Sequence, residues 1–253
     1  MKSGFIRALL PVAIALLAAG CAHRPSYRSE GMAKPKVATE ISYDVQSGDS
    51  WARISELYFG GPQHAERLAL VNETVAGIDP PVGRKVRVVI EPAQMDLVRR
   101  VEEARGPYNA GTELLAAANN GAALDAFRRA LRLAPELVDA RYNEALALLA
   151  LERADEAIES LKKVLRQRPS DKEAHYALAS AHFHGGDFAS ALSAVDAALL
   201  LDPVYLRALY TRALALERLG RGDAARAAWQ AYLELDDTSA WAEEARAHLR
   251  DLS

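Results

Sequence analysis

Few residues in this 253-residue chain are spaced for chemistry. Cys21 is the single cysteine, so no intrachain disulfide can form, and it directly follows the small residues Ala18, Ala19 and Gly20. His175, His182 and His184 lie close together and invite a metal reading. His175 and His182, however, share with Ala179 the helix face that must pack against a neighbour, so core packing explains them better. His184 falls toward a groove or solvent. Gly48, Asp49, Ser50 and Trp51 join a turn, a helix cap and a large ring, a set suited to hydrogen bonding and stacking. Tyr108, Tyr142, Tyr176 and Tyr210 recur every 34 residues and offer ring area with a polar tip. No carboxylate pair, Ser/His set, phosphate loop or Cys/His cluster stands in a recognisable context. The chemistry expected is therefore binding: no enzyme, no cofactor and no metal.

The elements that must position these residues are mainly helical. Pro135, Pro169 and Pro203 keep the tyrosine period, as do Ala123, Ala157, Ala191 and Ala225, and Phe127, Leu161, Val195 and Trp229. A period of this length is the signature of a helical solenoid. The third copy shows the pattern: a helix from Glu173 to His184, a turn at Gly185-Gly186-Asp187, a second helix from Phe188 to Leu200, and a stop at Asp202-Pro203. Gly111, Ala145, Ala179 and Ala213 lie where paired helices approach closely. One such hairpin cannot bury its apolar face alone, so stacking stabilises it.

These marks resemble the tetratricopeptide repeat: Ala123, Phe127, Ala130 and Pro135 in the first copy, Ala157, Leu161 and Pro169 in the second, Ala191, Ala198 and Pro203 in the third, Ala225 and Trp229 in the fourth. Asp237 replaces the last proline. The resemblance implies four repeats over residues 104–237, a right-handed superhelix with a concave face, and a capping helix over 238–253 carrying Trp241, Ala245, His248 and Leu249. First helices line that face, so the implied protein-binding groove contains Tyr108, Tyr142, Tyr176, Ser180, Phe183 and Tyr210. The same tyrosines could equally pack into the stack. Asn109 and Asn143 match the residues with which some members read peptide C-termini, but Ala177 and Thr211 follow, which disfavours that mode.

Upstream, residues 41–91 form a smaller unit. Ile41 to Gln46 alternates as a strand, Asp49 is a candidate N-cap, and Trp51, Ile54, Leu57 and Tyr58 give the next helix an apolar side. A second helix carries Leu68, Leu70 and Val71, and Lys85 to Ile90 reads as a second strand. The order βααβ and the residues Tyr43, Val45, Gly48, Asp49, Ile54, Asn72, Pro81, Gly83, Val86 and Val88 resemble the lysin motif. That family binds N-acetylglucosamine-containing glycans, chiefly peptidoglycan. The resemblance implies a groove between Gly48, Asp49, Ser50 and Trp51 on one side and the 73–81 loop, with Ile78, Asp79 and Pro80, on the other. Trp51 stands where leucine is usual and could as readily be core. Residues 92–103 form a connector helix, punctuated by Gly106-Pro107.

The N-terminus reads as a targeting segment. Lys2 and Arg7 precede an apolar run from Ala8 to Ala19, too short for a spanning helix of about 20 residues but right for a secretory signal. Leu17 to Cys21 resembles a bacterial lipobox, with Ala18 where leucine is more usual. It implies a lipoprotein signal with lipobox over residues 1–21, cleaved so that Cys21 becomes the lipidated first residue of the mature chain, and Ala22 next to it suggests the outer membrane, periplasmic side. An ordinary cleaved signal is the alternative. Residues 22–40, rich in Pro, Ser and charge, read as a tether spanning roughly 25 Å as a coil.

A formal net charge of −3 with no long run of either sign argues against nucleic acid. The partners expected are peptidoglycan, the membrane through the lipidated N-terminus, and an unidentified envelope protein in the groove. The expected function is a lipid-anchored envelope scaffold; the alternative is an assembly or pilot factor for an outer-membrane or secretion complex, with the small domain only positioning it.

Overall fold

The computed structural model describes residues 38–75 and 77–252. Cys21, the signal segment and most of the tether lie outside the described residues. The chain divides into two compact units, the first closing at Ala150 and the second opening at Leu151.

The first unit begins with two antiparallel strands, β1 (Thr39–Asp44) and β2 (Lys85–Ile90), registered from Thr39 opposite Ile90 to Asp44 opposite Lys85. β1 lies two residues earlier than the alternation placed it. Between the strands come α1 (Trp51–Phe59), a 3-10 turn (Pro62–His64) and α2 (Ala65–Val71). Ser50, not Asp49, caps α1, its hydroxyl accepting the Arg53 N–H at 3.1 Å. The Asp49 carboxylate is committed one step earlier: it accepts the Tyr43 hydroxyl at 2.7 Å and the Gln46 N–H at 2.8 Å, closing the turn that Gly48 makes at φ 86°.

Tyr43, Val45, Trp51, Ile54, Tyr58, Phe59, Val86, Val88 and Ile90 bury together as the core of this subdomain. Asn72 pins α2 to β2. Its amide donates to the carbonyls of Leu68 (2.8 Å) and Arg87 (2.9 Å), and its oxygen accepts the Arg87 N–H at 2.7 Å.

α3 (Met95–Ala116) runs unbroken through Gly106-Pro107, where the sequence suggested a stop. Proline inside a helix costs about 3 kcal/mol. Burial of Val98, Val101 and Ala104 before it, and of Gly111 and Leu115 after it, offsets that cost. The connector is thus the front half of the first repeat's helix. Val98 also completes the small subdomain's core, so that core is not confined to residues 41–91.

Repeat helices fill the rest: α4 (Asn120–Leu133) and α5 (Val138–Ala150) in the first unit, then α6 (Ala154–Gln167), α7 (Lys172–His184), α8 (Phe188–Leu201), α9 (Leu206–Arg218), α10 (Gly222–Leu235) and α11 (Ala240–Asp251) in the second. The alanines and large residues of the register are fully buried: Ala123 with Phe127, Ala157 with Leu161, Ala191 with Val195, Ala225 with Trp229. α3 and α4 approach closely at Gly111, where a Cβ would lie 2.6 Å from the Phe127 ring. The turns between paired helices carry a left-handed residue every 34 positions: Ala118, Glu152, Gly186 and Gly220. Among the described residues, no helix is long and apolar enough to cross a membrane.

Candidate interaction surfaces

The two loops expected to flank a glycan meet, and of the two readings of Trp51 it is the core one that holds. Trp51 is only 1% exposed, and its indole N–H donates to the Ile78 carbonyl at 3.0 Å. A subdomain this small needs every large apolar side chain in its core. Trp51 therefore splices the 73–81 loop to the start of α1 and offers no free face to a sugar. Pro80 is likewise buried, whereas Asp79 is exposed. Gly48 and Ser50 sit at the turn and cap. Large aliphatic side chains are also presented to solvent there: Ile78 at 66%, with Val75 at 64% and Val82 at 68%. Sequence reasoning passed over both valines; apolar residues in a Gly- and Pro-rich loop, with no strand or helix face to bury them, were the available signal.

The tyrosine series divides. In the first unit Tyr108 and Tyr142 are half-buried, and the Tyr108 ring lies 6.1 Å from that of Phe127. In the second unit Tyr176 is 8% and Tyr210 1% exposed. Tyr210 is a core residue, not a groove residue. Its ring stands edge-on to Trp229 (4.8 Å), Tyr232 (5.5 Å) and Trp241 (4.8 Å), so the capping helix α11 covers it. Burial pushes its phenol up, beyond the usual tyrosine range.

Ser180 and Phe183 remain half-exposed on α7. Around Tyr176 and Phe183 the structure gathers side chains that no repeated position announced. Tyr205 lies 5.3 Å from Tyr176, and the Arg207 guanidinium stands over both rings, at 5.3 and 5.1 Å. Phe188 lies 5.1 Å from Phe183, and Arg218 stands over that pair at 5.5 and 5.7 Å. Lys172 bonds Asp202 at 2.6 Å, which raises the lysine and lowers the carboxylate. A usable signal existed: Arg207 and Arg218 are eleven residues apart, three turns of one helix and so on one face.

The histidines do not converge. His175 contacts the Pro169 carbonyl at 2.9 Å, and His182 approaches Asp187 at 3.5 Å. Among the described residues, no group of three or more His, Cys, Asp or Glu could hold a metal.

A family model for the tetratricopeptide repeat matches residues 108–172, 142–204 and 176–240, together more than half of the chain. The chain belongs to the tetratricopeptide repeat family. Its repeats make it a protein–protein interaction scaffold. No curated protein matches it. Among solved structures, YrrB, described as a TPR protein with an unusual peptide-binding site, is similar at 22% identity over 62% of this chain and 79% of its own, with a TM-score of 0.54. MamA of Desulfovibrio magneticus RS-1 is similar at 22% identity over 54% and 77%, with a TM-score of 0.52. A thermophilic TPR protein of Thermus thermophilus shares 28% identity over 59% and 80%, with a TM-score of 0.48. At these identities the likeness to YrrB and MamA concerns the fold alone.

Proposed function

We propose that this chain is a lipid-anchored scaffold of the bacterial cell envelope that grips peptidoglycan through its small βααβ subdomain and holds a protein partner on its tetratricopeptide repeats. The observation carrying the glycan half is the surface at the Gly48 turn. There the start of α1, with amides not used within the helix, is spliced by Trp51 to a loop exposing Ile78. Amides can bond acetamido carbonyls, and aliphatic side chains can cover a sugar's apolar face. The anchor rests on the sequence around Cys21. Two modest affinities and an anchor reinforce one another through effective concentration, so neither contact must be tight alone.

Removing residues 41–91 would strip Val98 of its core, so the test is made on the full chain. Ile78→Asp should reduce pelleting with purified sacculi several-fold while leaving the helical signal unchanged; wild-type pelleting by this variant refutes the glycan role. An unacylated Cys21 by intact mass in the exported protein removes the anchor.

One observation favours a second reading, in which the small subdomain only positions the repeats of an assembly factor. Arg53 pairs with Asp139 at 2.6 Å, Arg105 donates to the Leu57 carbonyl at 2.7 Å, and the Val138 N–H donates to the Gly60 carbonyl at 3.1 Å. The subdomain is thereby fixed to α3 of the first repeat and to the start of α5, the first helix of the second. Cross-linking in cells to one stoichiometric membrane partner, with no sacculus binding, selects that reading.

A further inference from the structure

Arg207 and Arg218 are two cations of the second unit that lie over aromatic rings and that the fold does not use up. Their guanidinium groups lie over aromatic pairs, Tyr176 with Tyr205 and Phe183 with Phe188, and neither makes a hydrogen bond or ion pair to any described residue. Other cations nearby are committed: Lys172 to Asp202 at 2.6 Å and Arg212 to Asp196 at 2.7 Å. The nearest acid in sequence to Arg218, Glu217, is turned away to accept the Trp229 indole N–H at 2.5 Å and to meet His248 at 3.0 Å. Glu173, at the start of α7, is exposed and stands 4.0 Å from Lys172.

A guanidinium over a ring gains from the ring's negative face without using its five N–H donors, which stay available to a carboxylate fork. Two such groups on one helix form a spaced pair. Eleven residues of α9 correspond to roughly 16 Å. An extended chain rises about 3.3 Å per residue and alternates its faces, so acidic side chains four or six positions apart share a face and bracket that span, the flexible side chains taking up the difference.

We propose that the α7–α9 face of the second unit binds an extended acidic segment of a protein partner, one carboxylate on Arg207 and a second, four or six residues along, on Arg218. This rests on the reading of the repeats as a partner-holding scaffold and names the chemistry of what is held. The Tyr205 hydroxyl, buried with no hydrogen-bond partner among the described residues, lies beside the first of these sites and gives it further polarity.

The test is selection of a phage-displayed library of random twelve-residue peptides on the full-length protein, followed by anisotropy titration of labelled, C-terminally amidated copies of the enriched peptides. Amidation removes the terminal carboxylate, so only side chains can supply the charge. Enrichment of Asp or Glu pairs four or six positions apart is expected. Arg207→Gln and Arg218→Gln should each weaken binding on the order of ten-fold, as expected for one charged hydrogen-bonded contact, with weakening at higher salt. Circular dichroism confirms that both variants are folded. Enriched peptides without acidic pairs, or bound equally well by both variants, overturn the acidic class while the scaffold stands. A library from which nothing is enriched overturns both.

Discussion

Gly60→Ala is the substitution most informative about how the small subdomain is held. Gly60 ends α1 at φ 77°, and a Cβ built on it lies 3.1 Å from the Glu136 Cβ and 3.2 Å from its carbonyl carbon. Two costs combine there. The left-handed conformation costs an L-residue roughly 1–2 kcal/mol. Overpacking against a neighbour that cannot easily yield adds about 1–3 kcal/mol. The stiffer unfolded chain returns up to about 1 kcal/mol, so the net loss is on the order of 3 kcal/mol. Two controls separate the terms. Gly83, at φ 78° with nothing within 4 Å, has the strain without the contact, and its alanine variant should lose only about 1 kcal/mol. Gly111 has the contact without the strain; its alanine variant should lose about 1–2 kcal/mol as Phe127 shifts, after the helix-propensity gain. Hydrogen exchange of peptides covering 51–71 reads the stability of this region in the full chain. Gly60→Ala should lower protection there roughly a hundred-fold, since each 1.4 kcal/mol is a factor of ten. If Gly60→Ala and Gly83→Ala lose the same amount, the close approach to Glu136 contributes nothing and the reasoning fails.

Asn72→Ala removes three hydrogen bonds, two of them to Arg87 of β2, and leaves the Arg87 N–H without its acceptor, so a loss of about 2–3 kcal/mol is expected in urea denaturation; under 1 kcal/mol would show that water replaces the amide. Burial first, and Arg67 second, hold the His64 imidazole below its usual range. The unfolded chain then binds the proton more readily than the folded one, so this contribution is complete above the ordinary histidine range and is lost as pH falls from about 6.5. The thermal midpoint should drop between pH 7.5 and pH 5, and by less in His64→Gln; equal drops would assign the effect to other groups.

What could be read from the sequence was what geometry imposes identically in every copy. Ala191 and Val195 recur because paired helices leave room for one small and one large side chain at fixed heights, and the 34-residue register reports that directly. Features set by a single environment were hidden. The left-handed turn is plain at Gly186 and Gly220, yet Ala118 and Glu152 adopt it without glycine, so the first two turns carried no mark. Pro107 looked like a stop because a local rule was applied where buried contacts on both sides outweigh it. Tyr210 shares its register with Tyr108, but Trp241 has no counterpart in earlier copies, and it is Trp241 that turns a groove position into core. Arg207 and Arg218 went unnoticed because attention to what repeats is blind to residues that occur once. In the small subdomain the reading of Trp51 as stacking ring or core was open, and the shortage of large apolar side chains decided it.

The continuity of α3 changes where this molecule can be cut. A graft that lifts residues 41–91 onto another protein, following the strand boundaries, takes away a core with one wall missing, because Val98 stays behind with Met95 and Leu97, which pack against that core. A graft of the repeats beginning at Pro107 leaves the helix facing α4 without its first half. Any transplant that is to remain soluble must carry the strands, both short helices and the whole of α3 as a single cassette, which makes this N-terminal piece less interchangeable than its size suggests.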